Sequence, residues 1–264
     1  MLRRLLWAIP TLLIVTFVVY VAIRIGTDPV ASFKRQNARA SAKKIAEYKE
    51  VNALYDGFGG YVRGYFTWLR RFLSGDWPNS IKGNQPVWPK LKDALANSIV
   101  LGGAAAIVGI SIGLAVGMVS ALKRDSWLDS TATTGSFVGL SIPPYVSGLV
   151  LQLMFGVTLV SWFGLSKPIL PVSGVYPPGQ EGFDLTLRVR HLILPVFVVA
   201  IQIIAGYSRY MRTSLLEVVS SDYLRTARAK GIRERQVLVH HSLRNALIPI
   251  VTIAAIDIGA ILSG

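Results

Sequence analysis

Three polar side chains stand inside otherwise apolar stretches: Gln152, Gln202 and Asp257. A carboxylate near the centre of a membrane-length apolar segment costs roughly 2.5–3.5 kcal/mol on insertion scales. Asp257 is therefore expected to face a bundle interior or a water-filled path, either as a working group of that path or as a hydrogen-bonding partner of a neighbouring helix. Gln152 and Gln202 suit hydrogen bonding between helices, and the three together are the candidates to line a path. The other concentration of chemistry is basic: Asp222-Tyr223-Leu224-Arg225-Thr226-Ala227-Arg228-Ala229-Lys230-Gly231. Leading into it, Leu215-Leu216 and Val218-Val219, and within it Tyr223-Leu224 and Ala227, alternate with charges at helical spacing until Gly231 interrupts, and a second helical pattern runs from Glu234 to Leu247. A helix, a glycine stop and another helix form a short exposed knob held on two arms, a shape suited to docking. His240 and His241 are adjacent, so they do not share a helix face, and no acid lies at ligand spacing. They are expected as surface residues. Bond-making chemistry has no carrier. There is no phosphate-cradling Gly-x-x-x-x-Gly-Lys-Ser/Thr, no His-Glu-x-x-His and no Gly-x-Ser-x-Gly. Cysteine is absent, which removes disulfides, thiolate metal sites and a cysteine nucleophile. No catalytic residue, no metal and no cofactor is expected in this chain.

The elements that must carry these residues are membrane spans. Of the 264 residues, 52% are hydrophobic and 16% charged, against about 25% charged in soluble domains. Lys and Arg number 28 against 14 Asp and Glu, a net charge of +14. In a soluble chain that balance would point to nucleic acid. Here the charge lies in loops between apolar runs and does not coincide with an aromatic base-stacking platform, so the expected contact is with anionic lipid headgroups and not with nucleic acid. The apolar runs are Leu5 to Ile23, Ser98 to Leu122, Thr131 to about Val160, His191 to Ser208, and one from Ala246 to the last residue. Backbone groups in a bilayer must be satisfied internally, so five such runs read as five helices. The expected class is an all-α polytopic membrane protein, residues 1–264 forming one transmembrane domain. The first run has basic residues on both sides and no small-x-small site, so it is expected as a retained helix and not a cleaved signal.

Short basic loops set the orientation. Arg3-Arg4 puts the N-terminus in the cytoplasm, and Lys123-Arg124-Asp125 then lies inside. So does the stretch 209–245, which holds eight Lys/Arg against three acids. The stretch 26–95 is an outer segment; it contains many basic residues but exceeds the length at which loop charge governs topology. An odd number of spans leaves the C-terminus outside, and a further helix is expected after Gly264. Within the outer segment, Phe33 to Tyr55 suits a surface helix with Ile45, Tyr48 and Val51 or Asn52 on one side. Tyr61 to Leu73 places Tyr65, Trp68, Leu69 and Phe72 on one face, the pattern of an amphipathic helix at the outer interface, stopped by Gly75-Asp76. Gly109, Gly113 and Gly117 recur every four residues, and Gly135 and Gly139 repeat the spacing; both predict close helix packing. Pro143-Pro144 removes two backbone donors and should kink or break the third span.

The segment Asp222 to Gly231, with His241-Ser242-Leu243-Arg244-Asn245-Ala246-Leu247-Ile248-Pro249 after it, resembles the cytoplasmic signature of ABC-importer permeases. Aligned on Gly231, the general signature's Glu falls on Arg225, its two Ala on Thr226 and Ala227, and its terminal Leu-Pro on Leu243-Arg244. Those departures match the dipeptide/oligopeptide branch. Leu2 to Leu6 with Pro10, Trp68-Leu69, Ser74-Gly75-Asp76, Gln85-Pro86-Val87, Ser141 to Pro144, Leu170 to Gly174 and His191 to Pro195 are also similar to that branch and to its B-type member. The resemblance implies a type I importer helix bundle with six spans in a bacterial inner membrane. It implies a second permease, an extracytoplasmic substrate-binding protein and two ATPase subunits that hold ATP and Mg. It implies short peptides as cargo, and Tyr223 to Gly231 as a coupling helix seated in an ATPase cleft, with Asp222 opening that loop. Two alternatives stand beside it: a permease of the same family with another cargo, such as haem or a nickel chelate, and a secondary transporter or channel without ATPases that uses Asp257 as its ion site.

Overall fold

The apolar run at the N-terminus folds as helix α1, Leu2–Thr27, in a computed structural model that describes residues 2–80, 85–180 and 182–261. Asp28 ends it in the left-handed region and caps the next helix, α2 (Pro29–Gln36), by accepting from the Val30 and Ala31 amides. α3 (Ala42–Val51) follows, capped by Ser41. The surface helix expected across 33–55 is thus two helices with a turn between them. The turn folds α2 back on α3, and the Phe33 ring stacks on Tyr48 at 4.1 Å. α4 (Gly57–Ser74) stops where expected: Gly75 takes φ 76°, and the Gly75 and Asp76 amides donate to Phe72 and Arg71 carbonyls. Of the expected face of Tyr65, Trp68, Leu69 and Phe72, Tyr65 is the member that packs inward within this unit, while Trp68 and Phe72 are exposed. Tyr65 is 2% exposed, packs edge-on against Phe17 and Tyr20 of α1, and donates to the Leu13 carbonyl at 3.1 Å. The stack continues through Trp68, Phe72 and Trp77 to Trp88.

The remaining helices are α5 (Val87–Leu122), α6 (Trp127–Ser141), α7 (Pro144–Leu153), a π-helical turn (Met154–Thr158) leading into α8 (Leu159–Trp162), α9 (Leu185–Val219), α10 (Asp222–Ala229), α11 (Glu234–Gln236), a second π-helical stretch (Val237–Leu243) and α12 (Arg244–Ile261). The chain divides into two compact units, Met1–Ala94 and Leu95–Gly264. Among the described residues there is no strand, and five helical segments are long and apolar enough to cross a bilayer: Leu6–Gln36, Val87–Leu122, Pro144–Trp162, Leu185–Val219 and His240–Gly259. The protein is an all-α, polytopic membrane protein.

In the second unit α9 is the hub. Ala121 of α5, Tyr207, Met211 and Leu215 of α9, and Ala246 and Ile250 of α12 form a buried core. Gly109, Gly113 and Gly117 let α5 lie directly on α9; a Cβ on Gly113 would reach the Tyr207 Cβ at 2.9 Å. The second glycine pair behaves differently. Gly139 faces Ala205 and Ile201 of α9, whereas Gly135 has nothing near its Cβ position, so only one of the pair serves close packing.

The third apolar run is broken at Ile142-Pro143, as its two prolines require. Both pieces still follow α9, because Ser136 bonds Ser208 at 2.8 Å, Gly139 lies on Ala205 and Gly148 lies by Val198. The lower piece starts at Trp127, four residues before the expected Thr131, because the Ser126 hydroxyl caps it through the Asp129 amide. α9 also outruns its expected span. Residues 209–219, placed in the inner connection with a helical pattern from Leu215, continue α9 without a break, since Met211, Ser214 and Leu215 point one buried face into the core.

Candidate functional site

The knob between α9 and α12 is one folded element. Only Ser220 and Ser221 separate α9 from α10. Leu224 of α10 is fully buried, as are Val237 and Ser242 on the π-helical stretch against which α10 packs. Asn245 at the start of α12 donates to the Tyr223 hydroxyl at 2.8 Å. At the other end the Lys230, Gly231 and Ile232 amides close the helix on the Thr226, Arg228 and Ala227 carbonyls. Gly231 turns the chain with φ 74°, the conformation that a residue with a side chain resists. Arg228 then clasps Glu234 across the turn with two bonds, 3.1 and 2.9 Å. That guanidinium holds the Glu234 carboxyl below its ordinary value. Asp222, Tyr223, Arg225, Thr226, Ala229 and Lys230 face outward, while Ala227 and Arg228 are half-buried. The outward surface of the knob is mixed in charge and carries one tyrosine, Tyr223. His240 and His241 are exposed beside it.

A second polar cluster escaped the sequence reading. Arg212 of α9 grips Asp129 of α6 with both ends of its guanidinium, at 2.7 and 2.8 Å. Ser120 of α5 donates to the same carboxylate, and the Asp125 amide, in a turn with φ 62°, donates at 3.0 Å. Asp129 is 4% exposed. The Arg212 guanidinium first, and the Ser120 hydroxyl second, hold its carboxyl well below the usual carboxylate range. One charge pair, buried at Asp129 and part-buried at Arg212, therefore ties α5, the turn at Lys123 to Ser126 and α6 to the part of α9 nearest the knob. Neither residue announces this in sequence, because they are 83 positions apart and each looks like an ordinary loop charge.

The three path candidates have separate partners. Gln202 reaches from α9 to the break in the third span, donating to the Gly139 and Ile142 carbonyls, both at 2.8 Å. The Gly139 carbonyl is the one whose helical donor is missing at Pro143, so Gln202 supplies the hydrogen bond that the proline removed. Replacing Gln202 with Leu is expected to leave that carbonyl unsatisfied and cost about 1–3 kcal/mol, read as a lower melting midpoint in detergent; an unchanged midpoint would show the carbonyl finding another donor. Gln152 on α7 donates to the Val172 carbonyl at 3.3 Å and ties down the segment after α8. Asp257 on α12 accepts from the Tyr207 hydroxyl at 2.8 Å. Tyr207 is 3% exposed, yet Asp257 itself is open.

Residues 113–264 match the family model described as the binding-protein-dependent transport system inner membrane component. Over nearly its whole length the chain is similar to curated proteins. It is 36% identical to the oligopeptide transport system permease protein AppB of Bacillus subtilis, over 99% of this chain and 79% of that one. It is 34% identical to the dipeptide transport system permease protein DppB of Alkalihalophilus pseudofirmus, over 99% and 80%. It is 31% identical to the dipeptide transport system permease protein DppB of Escherichia coli K12, over 100% and 80%.

Proposed function

Because the chain belongs to the binding-protein-dependent transport system inner membrane components, we propose that it is the permease half of an ATP-driven importer of short peptides and that α10 is its coupling helix. The chain is a transport subunit and not itself an enzyme. Its partners under this reading are a second permease, two ATPase subunits carrying ATP and Mg, and an extracytoplasmic binding protein that delivers the cargo. The N-terminus and the knob lie on the cytoplasmic side, in line with the basic residues around both. The observation that carries the reading is the knob: Leu224 anchors it, the Arg228–Glu234 clasp closes it, and Asp222, Tyr223, Arg225, Thr226, Ala229 and Lys230 are exposed on it.

The mechanism follows from stiffness. Nucleotide-driven closure of the ATPases moves a seated α10. Two serines join α10 to α9, and α9 carries α6 through Asp129–Arg212 and α12 through the core. A displacement at the knob becomes a rigid-body displacement of the bundle, the basis of alternating access. The test is purification in detergent with the neighbouring subunits co-expressed, followed by uptake of labelled di- to pentapeptides into vesicles. An ATPase that co-purifies and uptake that needs ATP are expected. Uptake driven by an ion gradient without any ATPase would favour the secondary-transport alternative, and preference for haem or a nickel chelate would move the cargo.

Gly231 offers a sharper test. A Cβ there would meet nothing within 4 Å, so the cost of Gly231→Val is conformational, about 1–2 kcal/mol for a left-handed residue. The variant is expected to assemble but to lose most ATP-dependent uptake, while Gly231→Asn, which tolerates that region, keeps more of it. Equal uptake by the two variants would remove the turn from the mechanism.

A further inference from the structure

Asp257 sits where a charge should not be left alone. On α12 the buried or part-buried residues Ala246, Ile250, Ile253, Ala254 and Ile261 form one helical stripe toward the bundle. Asp257 falls in the middle of that stripe by period, flanked about 100° to either side by Ile256 and Ile258, which are 69% and 60% exposed. The stripe is packed on either side of it: Ile250 belongs to the core below, and Ile261 lies against Gly102 of α5 above. Yet Asp257 is exposed. The whole turn from Ala255 to Gly259 is exposed, and Asp257 is the member of that turn that the helical period places on the inner face. The depth is about 20 Å of helix above Arg244 at ~1.5 Å per residue, well inside a ~30 Å hydrocarbon layer.

The carboxylate is held but not neutralised. Tyr207, buried, donates to Oδ2 at 2.8 Å and fixes its orientation. Among the described residues no Lys, Arg or His pairs with it. An unpaired, pre-oriented carboxylate at membrane depth attracts a cation strongly, because little water is there to screen it. The other two polar residues of the spans do not compete for this role, since both spend their amides on backbone carbonyls.

We propose that Asp257 is a cargo-recognition residue that receives the protonated amino terminus of the peptide as it crosses, with Tyr207 as its positioning partner. The inference rests on the importer reading for its cargo, and on the stripe, the exposure of Asp257 and the missing counter-ion for its site. An ammonium group matches the carboxylate in charge and donates the hydrogen bonds that Oδ1 can accept. A peptide blocked at its amino terminus has neither property. The interaction has to be modest, since a path must release what it binds.

The experiment uses the assembled importer in lipid nanodiscs without the binding protein, so that only the membrane path selects. The probe is a tripeptide with a central benzoylphenylalanine, with a free or an N-acetylated amino terminus. After illumination, mass spectrometry locates and quantifies the label. In the unaltered protein the free-amine probe is expected to label residues 250–261 or the facing part of α9, about tenfold more than the acetylated probe. Asp257→Asn is expected to bring the free-amine labelling down to the acetylated level and leave the latter unchanged; Asp257→Glu retains the preference. Because the variant and the acetyl group remove the same interaction, their effects should not add. Equal labelling by both probes, or label confined to other helices, overturns the proposal. So does loss of the second permease from the Asp257→Asn complex, which would assign the carboxylate to a subunit contact. ATP-driven uptake in vesicles of the same protein separates the two readings. No uptake at all defeats the importer, whereas normal uptake without an amino-terminal preference defeats this inference alone.

Discussion

Arg212→Met is expected to destabilise the protein by about 3–5 kcal/mol, because it strands the Asp129 carboxylate, 4% exposed, without its counter-charge. The measurement is the melting midpoint of the purified chain by tryptophan fluorescence in detergent. The double variant Asp129→Leu with Arg212→Met is expected to recover much of the loss, since an apolar pair of similar bulk costs no desolvation. If the double variant were as unstable as the single one, the pair would be acting through shape and not through charge. The pH dependence has a definite sign. Arg212 and Ser120 lower the folded-state value of Asp129 below its unfolded one. The stabilisation is therefore fully present above the unfolded carboxylate range, near pH 4, and is lost as pH falls through the folded value. This pair should leave the midpoint flat from pH 5 to 8 and steepen the acid side below it, a limb that Asp129→Asn lacks. The consequence for transport follows from position. Among the described residues the pair is the ionic link from α9 to α6, so under the proposed importer mechanism uptake per ATP hydrolysed should fall further in Arg212→Met than in variants of equal instability placed elsewhere.

What could be read from sequence divides along physical lines. Features set by a single stretch of chain were legible: the apolar runs, the stop at Gly75, the turn at Gly231 and the break at Pro143-Pro144 each depend on residues adjacent to them. The bounds of α9 were misjudged for a reason that can be named. Arg209 and Arg212 look like loop charges, yet Met211, Ser214 and Leu215 follow the helical period and are buried. The period was the better guide, because Arg212 is satisfied by Asp129 and Arg209 lies over the Phe137 ring at 4.5 Å. Partners distant in sequence were not legible. Nothing local in Asp129 points to Arg212, nor in Asp257 to Tyr207. Gln202 was expected to bond between helices, but that it would replace the donor lost at Pro143 needed the register of α6 on α9. The aromatic face of α4 reads as amphipathic in sequence, but only the structure shows that Tyr65 of that face packs on α1 while Trp68 and Phe72 stay exposed.

The glycines of α5 and α6 should separate packing from propensity, and with opposite signs. A Cβ on Gly117 would collide with the Ser208 carbonyl and approach the Met211 Cβ at 2.7 Å. The first of these is backbone, so α5 and α9 must move apart, and Gly117→Ala is expected to cost about 1–3 kcal/mol. Gly117→Leu should cost more. Gly135→Ala meets nothing within 4 Å and replaces a poor helix former with the best one, so it is expected to stabilise by up to about 1 kcal/mol. Both glycines belong to four-residue repeats of the same appearance, and a reading by motif alone predicts the same loss for both. Melting midpoints of the two alanine variants, measured on the isolated chain, decide between the views. A fall for both would mean that Gly135 has a close neighbour after all, and a fall for neither would mean that α5 does not rest on α9 through its glycine stripe.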